Sequence, residues 1–175
     1  MVFREALVQL STHELHTLAE RNMSDKPELD QELAHKFFAA DCFNKAWELI
    51  DKGDRTAEDD EQMIRLVHAS IYHWTQRPDC TDKNFSIGYW QASRVYVLVG
   101  QAENALRYAK LCLEITPQDD PFCLGYAYEA LARAEKLTGN EAQAQQHLEK
   151  AKEQAAQVTD TEDRKYLEGD LQSLE

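Results

Sequence analysis

Two segments of the chain repeat each other at a constant offset of 39 residues. The first segment contains Tyr89, Ala92, Ser93, Tyr96, Gly100, Ala105, Ala109 and Cys112, and the second contains, in the same order, Tyr128, Leu131, Ala132, Glu135, Gly139, Ala144, Leu148 and Ala151. A fixed period of this length is typical of stacked helical hairpins. We therefore predict an all-α fold, a right-handed array of antiparallel helical hairpins with about eight helices.

Composition and charge narrow the classes of ligand. The chain has 175 residues, 43% of them hydrophobic, which is enough for one domain with a buried core. Its 32 Asp and Glu against 19 Lys and Arg give a net charge of −13. Because nucleic acid is bound by clusters of Lys and Arg, this charge argues against a nucleic-acid partner. The acidity either serves solubility or attracts a basic partner.

The cysteines and the apolar runs indicate the compartment. The four cysteines lack metal-binding spacing, and Cys42 and Cys112 fall at apolar helix positions, where they act as small core residues. The first ten residues contain no apolar run long enough for a signal peptide, and no stretch reaches the ~18 apolar residues of a membrane span. We expect a cytoplasmic protein with reduced thiols and no membrane partner.

Capping and helix-breaking residues divide the chain into elements. Helices are predicted at 11–22, 28–51, 56–76, 83–99, 102–115, 120–139, 141–157 and 161–173. Ser11 and Glu14 are predicted to form a capping box for the first of them. Asp120 is the expected N-cap of the sixth, with Pro121 at the first helical position. Thr56 with Asp59 begins the third helix.

The whole chain, 1–175, is predicted to form one domain. It has divergent N-terminal helices over 1–80, two related hairpins over 81–157 and a capping helix over 158–175. The helix at 28–51 is apolar on nearly every face, which predicts burial on several sides. The last helix carries its apolar residues on one side, as a terminal helix that covers the end of an array should. These residues are Tyr166, Leu167, Leu171 and Leu174.

The first repeated segment resembles a tetratricopeptide repeat. Its motif residues are Tyr89, Ala92, Ser93, Tyr96, Gly100, Ala105, Ala109 and Pro117. The family pattern has an aromatic residue, Leu-Gly, Tyr, Ala, a large apolar residue and a closing Pro. The second segment departs from it, since Glu135 replaces the Tyr and the closing Pro is missing. The resemblance covers residues 86–156 and implies an α-solenoid that binds a protein or peptide on its concave face.

A histidine-rich and aromatic segment provides the best candidate site. His68, Tyr72 and His73 lie on one predicted helix, and Trp90 and Arg94 lie on the next. Because consecutive helices are usually neighbours, these side chains are candidates to converge, with Arg94 binding a carboxylate between aromatic walls. The alternative is that they are core residues with ordinary hydrogen-bond partners. The whole chain, particularly residues 68–74 and 88–96, is also similar to small bacterial helical proteins of tetratricopeptide-like type, which implies no particular activity.

Metal and catalytic motifs find little support in the sequence. His13, His16 and Glu20 share one helical face, which is expected to be solvated. Glu32 and His35 match half of a di-iron helix motif, but the required second copy is missing. No nucleophile elbow or phosphate-binding loop occurs among the six glycines. We predict no catalytic residue, no metal and no cofactor.

The leading functional hypothesis is a non-enzymatic module that binds a protein or peptide on its concave face. The first helix of each hairpin forms that face, and its exposed docking residues are predicted to be His73, Trp90, Arg94 and Glu129. The alternative is a small-molecule- or metal-binding enzyme or sensor centred on His68, Tyr72 and His73. Against a metal, His68 and His73 lie about 140° apart around the helix axis and cannot share one ion. Self-association as a homodimer is a third possibility.

Overall fold

The computed structural model describes residues 30–174. They form helices joined by turns and loops and contain no strand. The helices are α1 (Gln31–Ile50), α2 (Ala57–Thr75), α3 (Asp82–Leu98), α4 (Ala102–Ile115), α5 (Pro121–Thr138), α6 (Glu141–Ala155) and α7 (Thr161–Gln172). For these residues, the prediction of an all-α fold is confirmed. The predicted helix at 11–22 and its capping box of Ser11 and Glu14 lie outside the described residues.

The chain divides after Gln31 into two units, and the described helices form the second, with only the first residue of α1 outside it. None of the seven helices combines the length and the apolarity that crossing a membrane requires.

The caps predicted from the sequence define the starts of α2 and α5. The Thr56 hydroxyl accepts the Asp59 backbone N–H at 3.2 Å, and the Asp59 carboxylate accepts the Thr56 N–H at 2.8 Å. At α5, Asp120 accepts the Cys123 N–H at 3.0 Å, and Pro121 is the first helical residue. Each cap satisfies backbone donors that have no partner inside the helix. These hydrogen bonds therefore fix the residues at which α2 and α5 begin.

Helices that follow one another in the chain pack together, and some alternate helices also contact each other. Each helix from α2 onward contacts the next one, and α3 also contacts α5, as α5 does α7. The Ser70 hydroxyl of α2 donates to the Ala39 carbonyl of α1 at 2.7 Å. The Gln91 side chain of α3 donates to the Phe43 carbonyl of α1 at 3.0 Å. Helix α1 thus contacts α3, α3 contacts α5 and α5 contacts α7, and these four helices are called the odd-helix row.

Small residues allow α3 and α4 to approach closely. Ala105, Ala109 and Cys112 of α4 are fully buried. The buried Ser93 hydroxyl of α3 donates to the Ala105 carbonyl at 2.9 Å, so a side chain bonds directly to the neighbouring backbone. Such contact requires small side chains where the helices cross. These small residues therefore lie on the side of α4 that packs against α3.

Two predictions of burial are wrong. Helix α1 buries a single stripe, and Phe37 and Phe38 are 59% and 43% exposed. The buried stripe consists of Ala39, Cys42, Ala46 and Ile50. Helices α2 and α3 both donate hydrogen bonds to the backbone of α1 on this side, so the stripe is the side of α1 that packs against them. In α7, Leu167 and Leu171 are buried but Tyr166 is 67% exposed, since it lies one residue, or about 100°, from Leu167 around the helix.

Candidate functional site

Glu129 is the centre of a buried polar cluster between α3 and α5. Only 1% of this residue is exposed. The Trp90 indole donates Nε1–H to Oε2 at 2.9 Å, and Arg133, one turn along α5, donates Nε–H to Oε1. Arg94 Nη1 lies 3.7 Å from Oε1. These four residues are called the Glu129 cluster. A buried carboxylate is tolerated here because it is both ion-paired and hydrogen-bonded.

The two arginines of the Glu129 cluster are partnered unequally. Arg133 also donates through Nη2 to the Asp170 carbonyl at 3.2 Å and to the Ser173 hydroxyl at 2.8 Å, which ties it to the C-terminal end of α7. The Arg94 Nε–H is buried and has no hydrogen-bond partner in the described part of the chain. Burial and the nearby Arg133 charge lower the pKa of Arg94, and Glu129 opposes that shift. Arg94 therefore retains an unused donor.

An aromatic row continues from the Glu129 cluster across three helices. The Trp90 ring lies 5.6 Å from that of Trp47 in α1 and 4.9 Å, edge to face, from that of Tyr126 in α5. Phe122 contacts Tyr126 edge to face at 5.0 Å. The Tyr126 hydroxyl donates to Asp170 Oδ2 at 3.1 Å, and burial together with the Asp170 carboxylate raises the pKa of Tyr126. Tyr126 is therefore a neutral donor, fixed in orientation.

A cavity of about 270 Å³ opens between α3 and α5 beside this aromatic row. Its lining consists of Lys83, Ser86, Ile87, Trp90, Phe122, Cys123 and Tyr126. Lys83 is the one charged member, and its Nζ lies 2.8 Å from Asp120 Oδ2. Burial, then the Asp120 carboxylate, raises the pKa of Cys123 to about 12, so the thiol is neutral. This space, called the α3–α5 cavity, suits an apolar group.

Three of the six residues predicted as a site lie together. Trp90, Arg94 and Glu129 meet in the Glu129 cluster. The expectation that Glu129 is exposed is wrong, because its carboxylate is enclosed by the indole of Trp90 and the guanidinium groups of Arg94 and Arg133. Trp90 and Arg94 are partly exposed, as is Arg133 of the same cluster, so solvent or a ligand can reach these three side chains.

Of the other three predicted residues, Tyr72 and His73 contact each other edge to face, with ring centroids 5.5 Å apart, whereas His68 bonds to a residue of α3. His68 Nε2 is 2.8 Å from the Tyr96 hydroxyl, whereas His73 Nδ1 is 2.8 Å from His35 Nδ1. Tyr72 is 57% exposed. Burial lowers the pKa of His68, and the nearby Arg107 charge adds to the shift. Burial also lowers the pKa of His73, and His35 adds to that shift. These contacts do not bring His68, Tyr72 and His73 into one pocket.

In residues 30–174, no group of three or more His, Cys, Asp or Glu side chains has an arrangement able to hold a metal ion. His35 pairs with His73 and not with Glu32, which is exposed. His13, His16 and Glu20 lie outside the described residues.

The sequence interpretation missed Lys83, Tyr126 and Arg133. Arg133 could have been found, since it follows Arg94 by the same 39 residues that relate the two repeated segments. Glu129 follows Trp90 by that offset as well. Lys83 and Tyr126 carry no such signal, because they become neighbours only when α3 and α5 pack together.

No protein-family model matches the chain, and no curated protein or solved structure matches it either.

Proposed function

We propose that the chain is a non-enzymatic interaction module that binds a segment of another protein along the odd-helix row, at the junction of α3 and α5. The observation that carries this proposal is the α3–α5 cavity, an apolar opening that shares Trp90 with the Glu129 cluster. Aromatic pockets beside oriented polar donors are typical recognition sites. The proposal extends to the predicted cytoplasmic location.

The helix arrangement supports a tetratricopeptide-like array within this proposal. Helices α1, α3, α5 and α7 contact one another in series. The Trp90–Glu129 bond joins positions that are one 39-residue period apart. In such an array the first helices of successive hairpins line the concave face. The odd-helix row would then be that face, and the cavity would open on it.

The division of roles within the site follows from its bonding. Glu129 accepts from Trp90 and Arg133 and is enclosed, so its role is to hold those two side chains in place. Arg94 is 23% exposed in its side chain and, among the described residues, forms only a long ion pair, 3.7 Å, with Glu129. A carbonyl or carboxylate of a bound segment would pair with this guanidinium group. Arg94 and the cavity walls are therefore the groups that we assign to ligand contact.

A selection from a random peptide library tests the proposal, using the full chain as bait. Enriched peptides are labelled, and their affinities are measured by fluorescence polarisation for the wild-type chain and two variants. Ile87→Glu places a carboxylate on a cavity wall. Leu137→Glu is the matched control, because Leu137 is 38% exposed against 37% for Ile87 and does not line the cavity.

We expect Ile87→Glu to weaken binding at least tenfold and Leu137→Glu to leave it unchanged, with both variants folded by circular dichroism. Equal affinities for the two variants would show that peptides bind elsewhere. A selection that enriches no peptide would contradict the proposed function itself.

A further inference from the structure

We propose that the α3–α5 cavity takes one bulky apolar side chain of the partner, and that Lys83 selects partners with an Asp or Glu side chain next to it. This inference rests on the proposed function and adds the chemistry of the ligand. It commits to an internal acidic side chain of a protein segment as the second determinant.

The cavity has the size and the walls for one apolar side chain. An apolar cavity of about 150 Å³ accepts a benzene-sized molecule, so about 270 Å³ has room for a large aliphatic or aromatic side chain. Trp90, Phe122 and Tyr126 supply aromatic surface. The Ser86 hydroxyl is already bonded to Thr116 Oγ1 at 2.7 Å, so it places no polar demand on the occupant. Burial of an apolar side chain is therefore the favourable term.

The charged side chain that lines the cavity is a cation, although the chain as a whole has a net charge of −13. This residue is Lys83, and its ion-pair partner Asp120 is not among the lining residues. The Lys83 side chain is 53% exposed, and its ammonium has three donors, of which Asp120 takes one. An acidic side chain beside the anchoring residue would occupy another donor. A basic neighbour would face Lys83 and be disfavoured.

The test uses random dodecapeptides displayed within a coat-protein loop, so that no free peptide terminus is offered. One enriched peptide is then synthesised with an acetylated N-terminus and an amidated C-terminus, together with its Glu→Gln or Asp→Asn form. Both are measured against the wild-type chain, Lys83→Gln and Lys45→Gln. Lys45 is a matched control, because it pairs with Asp41 at the same 2.8 Å and with nearly the same exposure, 54% and 24% against 53% and 21%.

We expect enrichment of an apolar residue followed or preceded by Asp or Glu. Lys83→Gln should weaken binding of the acidic peptide about two- to fivefold, as an exposed ion pair does, and Lys45→Gln should not. Replacing the acidic residue of the peptide by its amide should weaken binding to the wild type by the same factor and should leave binding to Lys83→Gln unchanged. Such a result would show that the two charges interact.

Three outcomes would overturn the inference. The first is enrichment without acidic residues, or with basic ones. The second is equal affinity for wild type and Lys83→Gln while Ile87→Glu still abolishes binding; the proposed function then stands and the charge selection fails. The third is binding only when the synthetic peptide carries a free C-terminal carboxylate, which assigns Lys83 to a chain terminus instead of a side chain.

Discussion

The Trp90 indole donates its Nε1–H to Glu129 Oε2 at 2.9 Å, and the two residues are 39 positions apart, the offset that relates the repeated segments. Arg94 and Arg133 are separated by the same 39 positions, and both approach Glu129. One segment thus contributes Trp90 and Arg94, and the other contributes Glu129 and Arg133. The Glu129 cluster consists of two pairs of equivalent positions that pack against each other.

Glu129→Gln is expected to lower the free energy of unfolding by about 2–4 kcal/mol. The amide keeps an acceptor for Trp90, but the guanidinium of Arg133, whose side chain is only 13% exposed, loses its carboxylate partner, and leaving a largely buried charge without its counter-charge is costly. Urea denaturation followed by circular dichroism measures the loss. The double variant Glu129→Gln/Arg133→Met should recover a substantial part of it, because the unpaired charge is then removed. A Glu129→Gln variant as stable as the wild type would contradict this account.

Arg94→Leu is expected to change stability by less than ~1 kcal/mol while it abolishes peptide binding. Arg94 forms one long ion pair at 3.7 Å and has a buried donor without a partner, so its desolvation is poorly compensated. Arg133→Leu should instead destabilise by about 3 kcal/mol or more, because it removes the bonds to Glu129 and to α7. Chemical denaturation and peptide titration of both variants separate the two effects. Equal destabilisation by the two substitutions would show that Arg94 is structural.

Gly125→Ala is expected to destabilise the chain by about 1–3 kcal/mol. A Cβ at this position would collide with Leu167 Cδ2, and Leu167 is fully buried in α7 and has little room to move. Gly169→Ala is the control within α7, where a Cβ meets nothing within 4 Å, and it should stabilise by ~0.5–1 kcal/mol through helix propensity. Thermal melting ranks the two variants. The opposite order would mean that α5 and α7 are not in close contact.

Acidification is expected to destabilise the chain partly through His68. Burial and then the Arg107 charge hold the pKa of His68 below its usual value of 6.5. The unfolded chain therefore binds the proton first, so the contribution of His68 is fully present above pH 6.5 and is lost as the pH falls below it. The pKa values of His73 and His147 are shifted in the same direction. Urea unfolding at several pH values between 5 and 8 should give a flatter profile for His68→Gln than for the wild type. Parallel profiles would contradict the shift.

Local sequence signals predicted the helices well, because caps and breakers act over a few residues. Thr56, Asp59, Asp120 and Pro121 define the helix starts in the structure as they did in the sequence. Burial was predicted less well, since it depends on which neighbours a helix meets. Phe37 of α1 is exposed although its helix looked apolar all round.

Only part of the candidate site could be predicted from the sequence. Trp90 and Arg94 were found because an aromatic and a basic residue lay on one predicted helix. Glu129 was identified as a site residue but was placed on the surface, because a sequence does not show that charges on different helices will enclose it. Lys83 and Tyr126 become neighbours only through the packing of α3 on α5.

Arg133 joins the Glu129 cluster to the last helix, since one guanidinium bonds to Glu129 and to the Asp170 carbonyl and the Ser173 hydroxyl. Lys136, less than one turn further on, donates to the Leu174 carbonyl at 2.7 Å. We therefore expect detachment of α7 and loosening of the cluster to occur as one cooperative opening event. By mass action, a ligand that requires an ordered cluster should slow amide hydrogen exchange in α7, even though it touches none of those amides.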